Sequence, residues 1–156
     1  MKLYCFGESG HSYKVALALT LSGQEWEPVF VDFFNGGSRT AEFRQVNIQG
    51  ECPVLVDGGR TLTQSGVILS HLSKKTGQFG GKTDEEKDEV LRWILWDNHK
   101  FSSAAGMLRF QMNFIPEAKR PAEVIAFSAA RLKTALNTLE AHLEGRDWIV
   151  GDDVTN

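Results

Sequence analysis

Residues 50 to 65, Gly-Glu-Cys-Pro-Val-Leu-Val-Asp-Gly-Gly-Arg-Thr-Leu-Thr-Gln-Ser, leave the backbone few choices. Val54-Leu55-Val56 and Thr61-Leu62-Thr63 are β-prone runs. Asp57-Gly58-Gly59 between them tolerates the φ > 0 that a tight hairpin turn demands. Pro53 heads the first run, where its missing N–H breaks no ladder bond. After Ser65, the residues Val67, Ile68, His71 and Leu72 fall at helical spacing, so Ser65 is expected as an N-cap. The stretch reads as loop, proline, strand, turn, strand, helix start. Taken alone it suits first an ordinary hairpin–helix unit; the alternative is a cradle for a small anion, since a rigid loop would stand beside unbonded helix-start N–H groups.

Upstream, Lys2–Phe6 is a short β-prone run, and Gly7-Glu8-Ser9-Gly10-His11-Ser12 is a turn-rich loop. A helix should follow, with Val15, Ala16, Leu19 and Leu21 inward, ending near Gly23. Glu27–Phe33 reads as a second strand, parallel to the first by the right-handed crossover rule. Thr40–Val46 reads as a short helix. The resulting β-α-β-α-β-β-α order, with a proline opening the third strand, is the thioredoxin-type arrangement.

Three glycines between Thr76 and Lys82 mark a linker, and beyond it the strand signals stop. Asp84-Glu85-Glu86 places acid in a first helical turn, where it complements the helix dipole. One long helix is expected to about Met112, with Val90, Leu91, Ile94, Leu95, Asn98 and Phe101 on one face. Pro121 suits the first position of the next helix, whose apolar stripe is Ile125, Ala129, Leu132, Ala135, Leu136, Leu139 and Leu143, with Gly145 just past its end. The chain thus divides into an α/β domain (residues 1–77), a linker (78–83) and an all-α domain (84–156). Two long helices bury their faces poorly alone, and Thr155 looks like an N-cap ahead of a helix, so the helical domain is expected to be incomplete.

A chain of 156 residues can bury a sizeable core. Its net charge of −3, without a run of Lys or Arg, argues against nucleic acid or an anionic membrane as partner. No long apolar run opens the chain, so neither a signal peptide nor a membrane span is expected. Cys5 and Cys52 are the only cysteines and stand in no metal-binding spacing, which favours free thiols in a cytoplasmic protein.

Three segments, in order, resemble the cytosolic glutathione transferases of the bacterial, serine-type, theta- or nu-like kind. Ser9-Gly10-His11-Ser12-Tyr13-Lys14-Val15 is similar to the family's loop-to-helix active-site motif. Gly50-Glu51-Cys52-Pro53-Val54-Leu55 matches the family's Gly-Lys-Val-Pro-Val-Leu pattern at four of six positions. Leu62-Thr63-Gln64-Ser65-Gly66-Val67-Ile68 is similar to its Leu-Thr-(Glu/Gln)-Ser-x-Ala-Ile. The helix from Arg92-Trp93 to Phe110 also resembles that of bacterial members. The likeness implies a thioredoxin-like glutathione-binding domain, a cis Pro53, a helical domain lining a pocket for a hydrophobic electrophile, and a homodimer. Further helices follow a Thr-x-x-Asp capping box in the family, which here stops at Thr155-Asn156.

Conjugating glutathione to an electrophile requires its thiolate, with no metal. A free thiol titrates near ~8.5. One hydrogen bond to the anion, worth roughly 1.5–3 kcal/mol, can lower that by about one to two units. By resemblance Ser9 supplies this bond. Ser12 is the alternative hydroxyl and otherwise a helix N-cap. His11 either assists the thiolate or bonds the loop. The resemblance further implies that Gln64 and Ser65 hold the γ-glutamyl end of glutathione and that the main chain of Cys52, next to Pro53, pairs with its cysteinyl part. Glu51 departs from the family pattern, which places Lys there near the glycine carboxylate. An acid at that point would repel the carboxylate unless Lys14, Arg44 or Lys100 compensates. Trp96, His99, Phe101 and Met107 are candidates for the electrophile pocket, with helix packing the more ordinary role for any single one of them. Competing expectations are a glutathione-dependent thiol-disulfide reductase using Cys52, and a binding protein without turnover.

Overall fold

The computed structural model describes residues 1–156 and divides into two compact units, Met1–Gly80 with Asn156 and Gly81–Thr155. The first contains β1 (Lys2–Cys5), α1 (Gly10–Leu21), β2 (Glu27–Phe30), α2 (Ala41–Val46), β3 (Val54–Asp57), β4 (Arg60–Thr63) and α3 (Ser65–Thr76). The sheet order is β2-β1-β3-β4; β1 and β2 run parallel, and the other pairs are antiparallel. This is the thioredoxin-like arrangement expected from the element order.

Side chains alternate across the strands and divide the core. Leu3, Leu55 and Leu62 point to one face and pack with Val15 and Leu19 of α1 and Ile68, Leu69 and Leu72 of α3. Tyr4 and Val54 point to the other, against Val31 and Phe43 of α2. The turn between β3 and β4 is Gly58-Gly59, with φ of 54° and 85°, the left-handed pair a two-residue hairpin requires. β2 is shorter than expected and ends at Phe30 rather than Phe33. Asp32 turns the chain there, its carboxylate accepting from Asn35 Nδ2 at 3.0 Å and its carbonyl from Gly37 N at 2.7 Å. Leu21, expected inward on α1, is 59% exposed.

The second unit contains α4 (Asp84–Trp96), a π-helical turn (Asp97–Phe101), α5 (Ser102–Asn113) and α6 (Ala122–Leu143). Thr83 caps α4, its hydroxyl accepting from Glu86 N at 3.2 Å. The single long helix expected to Met112 is therefore interrupted. At the break, Ser102 N donates to Asp97 O, five residues back, and Ser102 Oγ donates to Asp97 Oδ1 at 2.7 Å. The extra residue shifts the phase of α5 relative to α4, and within α4 itself the expected stripe is narrower than predicted. Val90, Trp93, Ile94 and Val150 form the core, whereas Leu91 and Leu95 are about half exposed. On α6 the buried residues are Ser128 and Ala135, while Ala129 and Leu136 of the expected stripe are exposed. Pro121 stands just before α6 rather than in its first position, and Gly145 follows the helix at φ 70°. No helix is long and apolar enough to cross a membrane.

Candidate active site

Strand register brings the predicted segments of the first unit to one end of the sheet. Tyr4 pairs with Val54, so the loop leaving β1 runs beside Cys52-Pro53. Val54 also pairs with Thr63, which places Gln64 on the other side of the same dipeptide. The Cys52-Pro53 bond is cis, and Pro53 is buried. Ser65 Oγ lies 3.2 Å from His11 Nδ1 and ties the start of α3 to the first turn of α1.

The cap assignments differ from those expected. Ser9, not Ser12, is the N-cap of α1, its Oγ accepting from Ser12 N at 3.1 Å. Its oxygen is thereby engaged, and its hydroxyl proton remains available to donate to an anion. Ser12 is 3% exposed, and its own hydroxyl has no hydrogen-bond partner. At α3 the cap position falls on Gln64 and makes no side-chain cap bond, while Ser65 is the first helical residue. Ser65 is therefore free to bond His11 instead of capping.

Gln64 adopts φ 65°, a left-handed value that costs a non-glycine residue about 1–3 kcal/mol. Its side chain is held from the opposite loop: Nε2 donates to Gln49 Oε1 at 3.1 Å and to Glu51 Oε2 at 3.2 Å. Asn47, 5% exposed, organises that loop. Its Nδ2 donates to Glu51 O at 2.9 Å and its Oδ1 accepts from Gln49 N at 3.1 Å. Gly50 has φ 67°, and a Cβ there would stand 2.9 Å from Ser38 O, so the tight loop requires glycine. Arg44 Nη1 donates to Ile48 O at 3.1 Å and closes the far side of the loop. Asn47 and Gln49 escaped the sequence reading, although Asn-x-Gln-Gly is a recognisable Asx-turn signal.

Both thiols are pushed up by burial, Cys52 to about 12, with the neighbouring Cys5 adding to its shift. The Cys52 side chain packs with the cluster of Val31, Phe43 and Val54. At neutral pH it is a neutral, partly buried group with little nucleophilic character.

The four electrophile-pocket candidates are not gathered together. Trp96 and Phe101 stack at 6.2 Å, while His99 and Met107 are exposed. Trp96 lines a cavity of about 250 Å³ with Lys100, Arg131, Thr134, Ala135 and Thr138, which does not include the other three candidates.

Residues 1–74 match the family model described as glutathione S-transferase, N-terminal domain. The chain is 30% identical over 162 residues to a glutathione S-transferase 3 of Zea mays, covering 99% of this chain and 72% of the relative. It is 28% identical to the disulfide-bond oxidoreductase YfcG of Escherichia coli, covering 95% of this chain and 71% of the relative. A solved glutathione transferase of Burkholderia graminis, with two glutathione molecules bound per subunit, superposes with a TM-score of 0.89 at 28% identity, covering 99% of this chain and 66% of that one. With a sheet of this topology, a cis-proline loop and relatives of this identity and coverage, the chain belongs to the glutathione S-transferase family.

Proposed function

We propose that this chain binds glutathione across the Cys52-Pro53 loop and conjugates its thiolate to a hydrophobic electrophile. The γ-glutamyl carboxylate sits on the N–H groups at the start of α3, beside Gln64 and Ser65, where the helix dipole favours an anion. The cysteinyl part pairs with the main chain of Cys52, as an added strand does. Ser9 donates its hydroxyl proton to the thiolate at the positive end of α1, and His11 holds Ser65 in place. Domain boundaries at about residues 77 and 84, a homodimer and a cytoplasmic location belong to the same reading.

The observation that carries it is at Ser9. Its oxygen is occupied by Ser12 N, which aligns the hydroxyl while leaving its proton to give away. The test separates the cap from the donor. Ser9→Ala removes both, and should cost about 1 kcal/mol of stability and raise the thiol pKa of bound glutathione by about one to two units. Ser9→Asp keeps a good cap but offers no proton, so it should retain stability and still raise the thiol pKa. Unchanged thiolate absorbance across a pH series in both variants would sink the role of Ser9.

A disulfide reductase working through Cys52 is the competing reading, and the Escherichia coli relative's name keeps it in view. The raised Cys52 thiol weighs against it. Retained conjugating activity in Cys52→Ala, with no glutathione adduct after treatment with oxidised glutathione, would exclude it.

A further inference from the structure

Glu51 was expected to face, and repel, the glycine carboxylate of glutathione. Its carboxylate lies at the start of α3, where Oε2 accepts from Gln64 Nε2 at 3.2 Å. The second proton of that nitrogen goes to Gln49 Oε1 at 3.1 Å. Both donors of the Gln64 amide are thus spent on the loop. Its Oε1 is left to face a ligand as an acceptor, an orientation set by having two acceptors around Nε2. Asn47 holds the main chain of Glu51 and of Gln49, so the carboxylate is braced from behind.

An α-amino acid that lays its carboxylate on the N–H groups of α3 carries its ammonium one carbon away. An ammonium leaving water needs acceptors, and a charged one above all. Gln64 supplies an acceptor without charge. Glu51 supplies the charge, and an ionised carboxylate has lone pairs to spare after accepting from Gln64.

We propose that Glu51 binds the α-ammonium of the γ-glutamyl group and makes the site selective for thiols that carry one. The inference rests on the glutathione reading above and deepens it. It reverses the expected sign: Glu51 attracts one end of the ligand rather than repelling the other.

The experiment is calorimetric titration of the full chain, its Glu51→Gln and its Glu51→Lys variants, each checked for an unchanged thermal midpoint. The probes are glutathione, its des-amino analogue (glutaryl-cysteinyl-glycine) and its glycyl monoethyl ester. Glu51→Gln should weaken glutathione about tenfold, and Glu51→Lys should weaken it more. The des-amino analogue should bind the wild type weakly and ignore Glu51→Gln. The monoethyl ester should bind as glutathione does and fall with it in both variants. Tighter glutathione binding by Glu51→Lys, or a preference of the wild type for the ester, returns Glu51 to the glycine end and overturns the proposal. Equal glutathione affinity in the wild type and Glu51→Gln overturns it too, leaving the glutathione reading intact. A folded wild type that takes up no glutathione at millimolar concentration overturns both.

Discussion

Ser12 buries a hydroxyl in the first turn of α1 without a partner, and Cys52 carries a thiol that burial keeps protonated. Neither group fits the chemistry a serine or cysteine near an active site suggests at first sight. Ser12→Ala removes a polar group that makes no bond, so urea unfolding should show a stability unchanged or raised by up to about 1 kcal/mol, with conjugating activity retained. A loss of activity there would make Ser12, not Ser9, the hydroxyl that faces the thiol. For Cys52, a thiol near 12 leaves on the order of one thiolate in ten thousand at pH 8. Alkylation by iodoacetamide, followed by peptide mass spectrometry, should be far slower at Cys52 than for free cysteine and should rise about tenfold per pH unit. Rapid labelling at neutral pH would revive the reductase reading. Glu51 makes a similar point. Its charge was legible in the sequence, but its effect depends on which neighbour it meets, and it meets Gln64.

The hairpin and α3 are bolted together by one acid. Asp57, at the end of β3, accepts from Lys75 Nζ at 2.7 Å and lies 2.9 Å from His71 Nε2. His71 and Lys75 stand one turn apart on α3, so one face of the helix meets the carboxylate with two donors. The Lys75 hydrogen bond, then that of His71, holds the Asp57 carboxyl below the usual carboxylate range. Because its folded value is depressed, the contribution is complete above the unfolded carboxylate value of about 3.9 and fades as pH falls through the folded value. Asp57→Asn should therefore cost about 1–2 kcal/mol at pH 7, discounted for the partly exposed lysine. The gap to the wild type should close as the pH is taken from about 5 towards 2, in urea unfolding at each pH. A gap that stays constant across that range would show that the ion pair does not stabilise the unit. The long helical stretch makes the contrary case. Its apolar residues predict one uninterrupted face, but a π-helical turn at Asp97–Phe101 divides the stretch; ahead of that turn, within α4, Val90, Trp93 and Ile94 are buried while Leu91 and Leu95 stay about half exposed.

Across the molecule, what could be read in advance was what nearby residues settle among themselves. Asp57-Gly58-Gly59 signals a tight hairpin because these residues tolerate positive φ, and strand register then makes Gly58-Gly59 the central pair. Leu3, Leu55 and Leu62 take one face of the sheet because strand side chains alternate. The α/β-then-helical division follows from where the strand signals stop. Those are local conformational preferences and periodicities, and they act within a few residues of their cause. The site is different in kind. His11 meets Ser65 across 54 residues, and Gln64 meets Glu51 across 13. Ser9 takes the cap that spacing had offered to Ser12, and Ser65 gives up its cap to face His11. Such pairings depend on strand register and on how each loop closes, because hydrogen bonds act over about 3 Å and no distance along the chain encodes that. The polypeptide alone specifies the sheet and the segments that end at one edge of it; packing in three dimensions selects which oxygen, amide and carboxylate face one another there.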